Sequence, residues 1–231
     1  MERRDFLKLC AAGAASAGAP VLAADARPQL YSRTLLLDET GAPLGAGRIP
    51  VERNLIFHYP FAATPCFLLN LGRPAKASAT LKTGENRAYE WTGGIGPGRS
   101  IVAYSAICAH KLTYPTRDIS FISYRVEKSA RNRIGNVIHC CSEHSQYDPA
   151  EGGRVVAGPA PQPLAAILLE WNSAKDEIHA VGTLGGEMFN EFFEKYAMRL
   201  QLEGSSAPKQ SVGNAAKVQA LDSYCKQQVK C

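Results

Sequence analysis

Two short stretches concentrate the side chains able to do metal chemistry. "CAHKL" carries Cys108 and His110 as C-x-H, and "HCCSEHSQYDP" carries Cys141 and His144 as C-x-x-H. Two thiolates and two imidazoles can hold a tetrahedral zinc ion, or a [2Fe–2S] cluster with both histidines on one iron. Zinc sites pair like spacings, such as C-x2-C with H-x3-H. Here each stretch offers one sulfur and one nitrogen, an arrangement that fits the asymmetric cluster better.

Both stretches follow strand-like runs. "SIVAYSAI" leads straight into Cys108 and "NVIH" into Cys140. Similar runs, among them "LYSRTLLL", "NLIFHYP", "CFLLNL", "DISFISYRV", "AAILLEW" and "EIHAVG", recur between residues 30 and 182 with Gly, Pro and Asp between them. Many short strands with turn signals predict a mainly β chain, an antiparallel barrel or sandwich. From residue 186 the period changes. "GEMFNEFFEKYAMRLQLE" sets Met188, Phe189, Phe192, Phe193, Tyr196 and Leu200 at helical spacing, which predicts an amphipathic helix packed on the β domain or on a partner. "GSSAPKQSVGN" reads as a flexible linker and "AAKVQALDSYCKQQVKC" as a final helix.

The two metal stretches, followed by "YDPAEGGRVVAGPAPQPL", resemble Rieske iron–sulfur proteins. "GPAPQPL", Gly158 to Leu164, is similar to the proline loop that covers the cluster in that family. The likeness spans roughly residues 50 to 182. "FHYPFAATPCFLLNLG" and "GGIGPGRSIVAYSAICAH" are similar in particular to the small subunits of arsenite oxidases. The resemblance implies a Rieske-type antiparallel β domain over residues 27–184 with a small cluster-binding subdomain, and a helical C-terminal extension over 185–231. It implies a [2Fe–2S] cluster on Cys108, His110, Cys141 and His144, with Ser145 and Tyr147 as hydrogen-bond donors to a bridging sulfide and a cysteine sulfur. The implied role is one-electron transfer, as the subunit of an oxidoreductase complex and not as a stand-alone enzyme. Its implied partners are a larger molybdenum-containing catalytic subunit and a cytochrome or copper protein that accepts the electron.

The sequence departs from the family pattern in three places. The gap between His110 and Cys141 is long, so "RDISFISYRVEKSARNRIG" is expected to contain an inserted hairpin or loop. The disulfide that joins the two cluster loops in high-potential relatives would need cysteines at Thr113 and at Ser142 or Glu143, so it is expected to be missing, with no partner for Cys140. The register of the second loop has two solutions. Counting from Tyr147 and Asp148 without a gap puts Cys140 at the cysteine position and Glu143 at the histidine position. Keeping C-x-x-H selects Cys141 and His144, and this solution is preferred because it supplies a neutral imidazole. It also places Gln146 where relatives carry the serine.

The remaining candidates read as structural. His58 and His179 sit on strand-like runs, His139 precedes the cysteine pair, and Cys66 reads as a buried core thiol. Cys225 and Cys231 could pair with each other or with a partner protein. "GGIGPG" lacks the Lys-Ser/Thr of a phosphate-binding loop.

The N-terminus, "MERRDFLKLCAAGAASAGAPVLAADA", resembles a twin-arginine export signal over residues 1–26, and Cys10 would leave with it. The expected location is the periplasm, with membrane association if the signal stays uncleaved. The chain has 231 residues and a net charge of +5. Its basic residues are spread out, which argues against nucleic acid as a partner and for an acidic redox partner. A quinol-oxidising cytochrome bc-type Rieske subunit is a second reading, weakened by the Gly- and Pro-interrupted apolar run. A zinc-bound or cluster-free binding module is a third. A Rieske oxygenase lacks support, because no downstream His/His/Asp iron site is visible and the chain is short for that catalytic domain.

Overall fold

The computed structural model describes residues 26–203 and 207–231. But for Ala26, the expected export signal lies outside the described residues. The fold is mainly β, as the runs and turns predict. In chain order the strands are β1 (Gln29–Leu37), β2 (Leu55–His58), β3 (Pro65–Asn70), β4 (Ala79–Lys82), β5 (Ala88–Trp91), β6 (Ile101–Ser105), β7 (Ile119–Ser120) and β8 (Ile122–Arg125). They continue as β9 (Val137–Cys140), β10 (Ser145–Asp148), β11 (Arg154–Ala157), β12 (Ala166–Asn172), β13 (Glu177–Leu184), β14 (Ala215–Lys217), β15 (Gln219–Ala220) and β16 (Gln227–Gln228). The helices are α1 (Met188–Leu202) and the single turn α2 (Leu221–Tyr224).

The larger sheet runs in the order β14-β1-β13-β12-β6-β3-β2-β15. Its two outer strands are neighbours in sequence: β14 lies parallel to β1, and β15 antiparallel to β2. Residues 215–220 therefore occupy both edges in succession and nearly close the sheet, satisfying edge groups that would otherwise stand open. The apolar run of β3 is explained by burial on both faces. Phe67 and Leu69 join a core with Tyr104, Tyr147 and Phe192, while Cys66 and Leu68 face a second core with Leu36, Tyr59 and Ile178. Each large side chain so buried contributes roughly 1.5–3 kcal/mol.

The smaller sheet, β11-β10-β9-β8, carries one of the two metal stretches. Strands β8 and β9 form a hairpin from Ile122 opposite Cys140 to Arg125 opposite Val137. The stretch between His110 and Cys141 thus contains β7, the hairpin strand β8 and the loop 126–136. Among the described residues, no helix is long and apolar enough to cross a membrane.

Helix α1 buries Met188, Phe189, Phe192, Phe193 and Leu200, the face that its spacing predicts. Phe192 and Tyr196 both meet Tyr114 edge-on at 5.0 Å, so the helix braces the chain just after the first metal stretch.

Two expectations for the C-terminus are corrected. Residues 207–214 do not behave as a free linker: Ala62 N donates to Gln210 O at 2.8 Å, Val212 N to Pro60 O at 3.1 Å and Leu35 N to Asn214 O at 2.8 Å. The expected final helix is only the turn α2, flanked by strands. Helix formers there are overridden because the open edges of the large sheet and of β7 offer backbone partners. Beyond α2 the chain runs as a strap, with β16 parallel to β7 and Val229 N donating to Ser120 O at 2.9 Å. The strap ends in a disulfide between Cys231 and Cys141. Cys231 thus pairs with neither Cys225 nor another protein, and Cys225 is a buried free thiol.

Candidate metal centre

The first loop leaves β6 and turns back on itself. Cys108 N donates to Thr113 O at 2.8 Å, and Leu112, at φ 59°, donates its N–H to Cys108 O at 2.9 Å. The second loop joins β9 to β10. His144, at φ 60°, donates its N–H to Cys140 O at 2.8 Å, and Ser145 lies opposite Cys140 in the ladder. Both loops therefore make one backbone motif, a cysteine whose carbonyl is capped by a left-handed residue four positions on. The match extends to the sulfurs. Cys108 accepts N–H bonds from His110 and Lys111, and Cys140 accepts them from Ser142 and Glu143.

The two sulfurs meet. Cys108 and Cys140 are hydrogen-bonded to each other, and both residues are almost fully buried. The bond from Cys140 is the main reason the Cys108 thiol is drawn down to about 6; Tyr147 and the two loop N–H groups add to it against burial. The Cys140 thiol is pushed up by the same bond, by burial and by the charge on Cys108. One proton is shared between two sulfurs that a metal would take as thiolates.

Tyr147 is fully buried beneath them. Its hydroxyl accepts from Ala109 N at 3.1 Å and lies 3.2 Å from Cys108 Sγ. With its lone pair engaged by Ala109, the O–H donates to the sulfur. Burial first, and then the charge on Cys108, hold the phenol well above its ordinary range, so it remains a donor.

Both histidines of the metal stretches keep a buried Nδ1 with no hydrogen-bond partner, and Ser145 keeps a buried, unpartnered Oγ. Buried polar atoms without partners cost about 1–3 kcal/mol each, so three in the loops around one cysteine pair call for a missing partner. Both rings are otherwise partly exposed. The outer nitrogen of His144, Nε2, lies 3.2 Å from Arg131 Nη1. Lys111 and Glu143, each beside a histidine, join the two loops by an ion pair at 2.6 Å.

Cys141 is not placed as the sequence reading preferred. Its sulfur is bonded to Cys231, and a disulfide sulfur is not a thiolate ligand. The physical reason is alternation: neighbouring residues at a strand end project to opposite faces, so Cys140 and Cys141 cannot serve the same site. The sequence expectation concerned a bond between the two loops and did not foresee this one, which ties the second loop to the C-terminal strap and not to the first loop. His139, buried on β9, packs against the His144 ring with centroids 5.7 Å apart and lies 3.6 Å from Cys231 Sγ. Burial, His144 and Arg125 hold it down to about 4, which keeps it neutral. His58 lies on β2, His179 on β13, and Cys66 is fully buried on β3.

Gly158 opens the proline-rich segment and packs directly on the second loop. It stands at φ +86°, and a Cβ there would lie 2.4 Å from His144 O and 2.6 Å from Ser145 Cα. Only glycine allows this approach, which lets "GPAPQPL" flank the site. Sequence reasoning named Gly158 only as the start of the proline-rich motif and did not single out Arg131. The bond between Cys141 and Cys231 has no local signal, because the partners are 90 residues apart.

No family model matches the chain. Among solved structures it is similar to the soluble domain of the Rieske protein II (soxF) from Sulfolobus acidocaldarius, with 26% identity over 60% of this chain and 80% of that one, and a TM-score of 0.39.

Proposed function

We propose that this chain is a one-electron carrier built on a Rieske-type [2Fe–2S] cluster. Cys108 and Cys140 would hold one iron through sulfur, and His110 and His144 the other through Nδ1. The carrying observation is the pair of buried, unpartnered Nδ1 atoms in two loops whose cysteine sulfurs touch. Ser145 favours a cluster over zinc: its buried hydroxyl has no acceptor in the protein, and inorganic sulfide would be one, whereas zinc brings none.

Bound there, the cluster would supply a single reversible electron. The protein's part is to hold and tune. Tyr147 and the loop N–H groups direct positive dipoles at the cysteine sulfurs, which favours the more negative, reduced state and raises the potential. The large sheet, α1 and the proline-rich segment enclose the sulfurs and exclude water from them. The partly exposed rings of His110 and His144 give the electron its path to a docked partner.

The finer assignment rests on sequence resemblance. "FHYPFAATPCFLLNLG" and the N-terminal motif support a small subunit of an arsenite-oxidase-like molybdenum enzyme, exported to the periplasm by the twin-arginine route and passing electrons to a cytochrome or copper protein.

The test is iron and acid-labile sulfide analysis of the full chain from its native compartment, with electron paramagnetic resonance after dithionite reduction. Iron and sulfide in equal amounts, with a mixed nitrogen- and sulfur-ligated signal, are expected. Zinc without sulfide would end the redox reading.

A further inference from the structure

We propose that the loop 126–136 is a basic docking rim for the acidic face of a protein electron partner, placed directly beside His144. The inference rests on the electron-carrier reading and deepens it by locating the partner's contact surface.

The loop joins β8 to β9, between the two metal stretches, and it is held in place. Asn132, only 1% exposed, donates from Nδ2 to Glu127 O at 3.1 Å and accepts at Oδ1 from Gly135 N at 3.2 Å. The carbonyl of Arg131 accepts from Gln146 Nε2 at 2.9 Å, and Ser129 Oγ donates to Cys231 O at 2.8 Å. These bonds fix the loop to β10 and to the strap, on either side of the second loop.

Its exposed charge is predominantly basic, three cations against the single carboxylate of Glu127. Lys128, Arg131 and Arg133 are exposed, and Lys230 adds a fourth cation from the strap beside Ser129. Among the described residues none of the four meets a carboxylate. Lys111, Arg199 and Lys226, by contrast, are neutralised by Glu143, Glu203 and Asp118, while Lys195 reaches the Lys111 carbonyl. Arg131 reaches the outer nitrogen of His144, so the uncompensated charge begins at the ring through which the electron would leave. Ile134, 51% exposed, sets an apolar residue among these cations. An apolar contact within a charged rim is the composition of a transient protein interface. A net basic surface steers an acidic protein and raises its association rate by roughly 10–1000-fold at low salt.

The test compares electron transfer from the reduced full-length protein to mitochondrial cytochrome c in two forms, the native basic protein and its succinylated acidic derivative. Stopped-flow rates at low and high ionic strength are read alongside calorimetric binding of the succinylated form. The wild type should react at least about tenfold faster with the acidic form at low salt, and the advantage should shrink as salt screens it. Lys128→Glu/Arg133→Glu should abolish both the advantage and the binding while leaving the cluster signal unchanged; Arg131 is kept so that the contact with His144 is not disturbed. Equal rates for the two forms in the wild type, or a preference that survives the double substitution, would overturn the rim. Binding to phosphatidylglycerol vesicles that is lost in the double variant, with no change toward the cytochromes, would overturn it in favour of a membrane surface. A wild type without any cluster signal would sink the electron-carrier reading instead, and the calorimetric arm, which needs no cluster, would still decide the rim.

Discussion

Leu112 and His144 share one backbone conformation, φ 59° and 60°, and each donates its N–H to the carbonyl of the cysteine four residues before it. This equivalence makes Cys140 the counterpart of Cys108 and leaves Cys141 outside the pair. It also means that the two histidines are not equivalent. His110 follows its cysteine at the second position, where its own N–H reaches the sulfur, and His144 follows at the fourth, in the left-handed region. The loops are alike in how they present sulfur and different in how they present nitrogen.

The thiol pair predicts a pH dependence for the metal-free chain. The Cys108 thiol is depressed from 9.0 to about 6, chiefly by the bond from Cys140. Between those values the unfolded chain keeps a proton that the folded chain has released, so stability rises with pH, is complete above about 9, and is lost as pH falls through about 6. His58 and His139, held down to about 4 by burial, exert their effect below pH 7. Cys140 and Cys66 are pushed up and act only above their ordinary 9.0. The urea midpoint should therefore climb from pH 7 to pH 9, and Cys108→Ser should remove most of the climb. An identical slope in the variant would contradict the shared proton.

Tyr147→Phe removes the donor to Cys108 Sγ and leaves the buried Ala109 N–H without its acceptor. The cost to stability should be roughly 1–3 kcal/mol. In the loaded protein the reduction potential should move negative, because the reduced state loses a hydrogen bond. Potentiometric titration followed by electron paramagnetic resonance reads this directly, and an unchanged potential would remove Tyr147 from the tuning of the site.

Gly158→Ala should cost more than the same change at Gly41. Both glycines are left-handed, at φ +86° and +87°, but a Cβ at Gly41 meets nothing within 4 Å, while at Gly158 it meets His144 O at 2.4 Å. The first change should cost about 1 kcal/mol and the second roughly 2–4 kcal/mol. Denaturant titration of both variants checks the difference, and equal costs would show that the proline-rich segment does not press on the second loop.

Cys231→Ser frees the end of the strap from Cys141. Removing a cross-link between residues 90 apart should cost roughly 2–4 kcal/mol. The cluster signal should persist, because neither Cys108 nor Cys140 is touched. Limited proteolysis should then cut the tail after Tyr224, where the wild type resists; a tail equally resistant in both would mean that β16 and its hydrogen bonds suffice to hold it.

Much of this architecture is legible in the residues. Apolar runs before Cys108 and Cys140 are strands or lead from one, and the helical period from Met188 to Leu200 marks the buried face of α1. The placement of Cys140 and Cys141 is not legible from spacing, because C-x-x-H selects Cys141, whose sulfur is bonded to Cys231; which face each takes depends on the pairing of β9 with β8 and β10. The final segment misleads for a related reason. Its Ala, Lys, Gln and Leu favour a helix, but its backbone is claimed by sheet edges formed more than a hundred residues earlier.

The central claim is the ligand pair Cys108 and Cys140, and the most direct measurement is the electron paramagnetic resonance spectrum of the dithionite-reduced full-length protein with Cys140→Ser or Cys141→Ser. The account predicts that Cys140→Ser abolishes the mixed nitrogen- and sulfur-ligated cluster signal and that Cys141→Ser retains it. Loss of the signal in Cys141→Ser with retention in Cys140→Ser would contradict it.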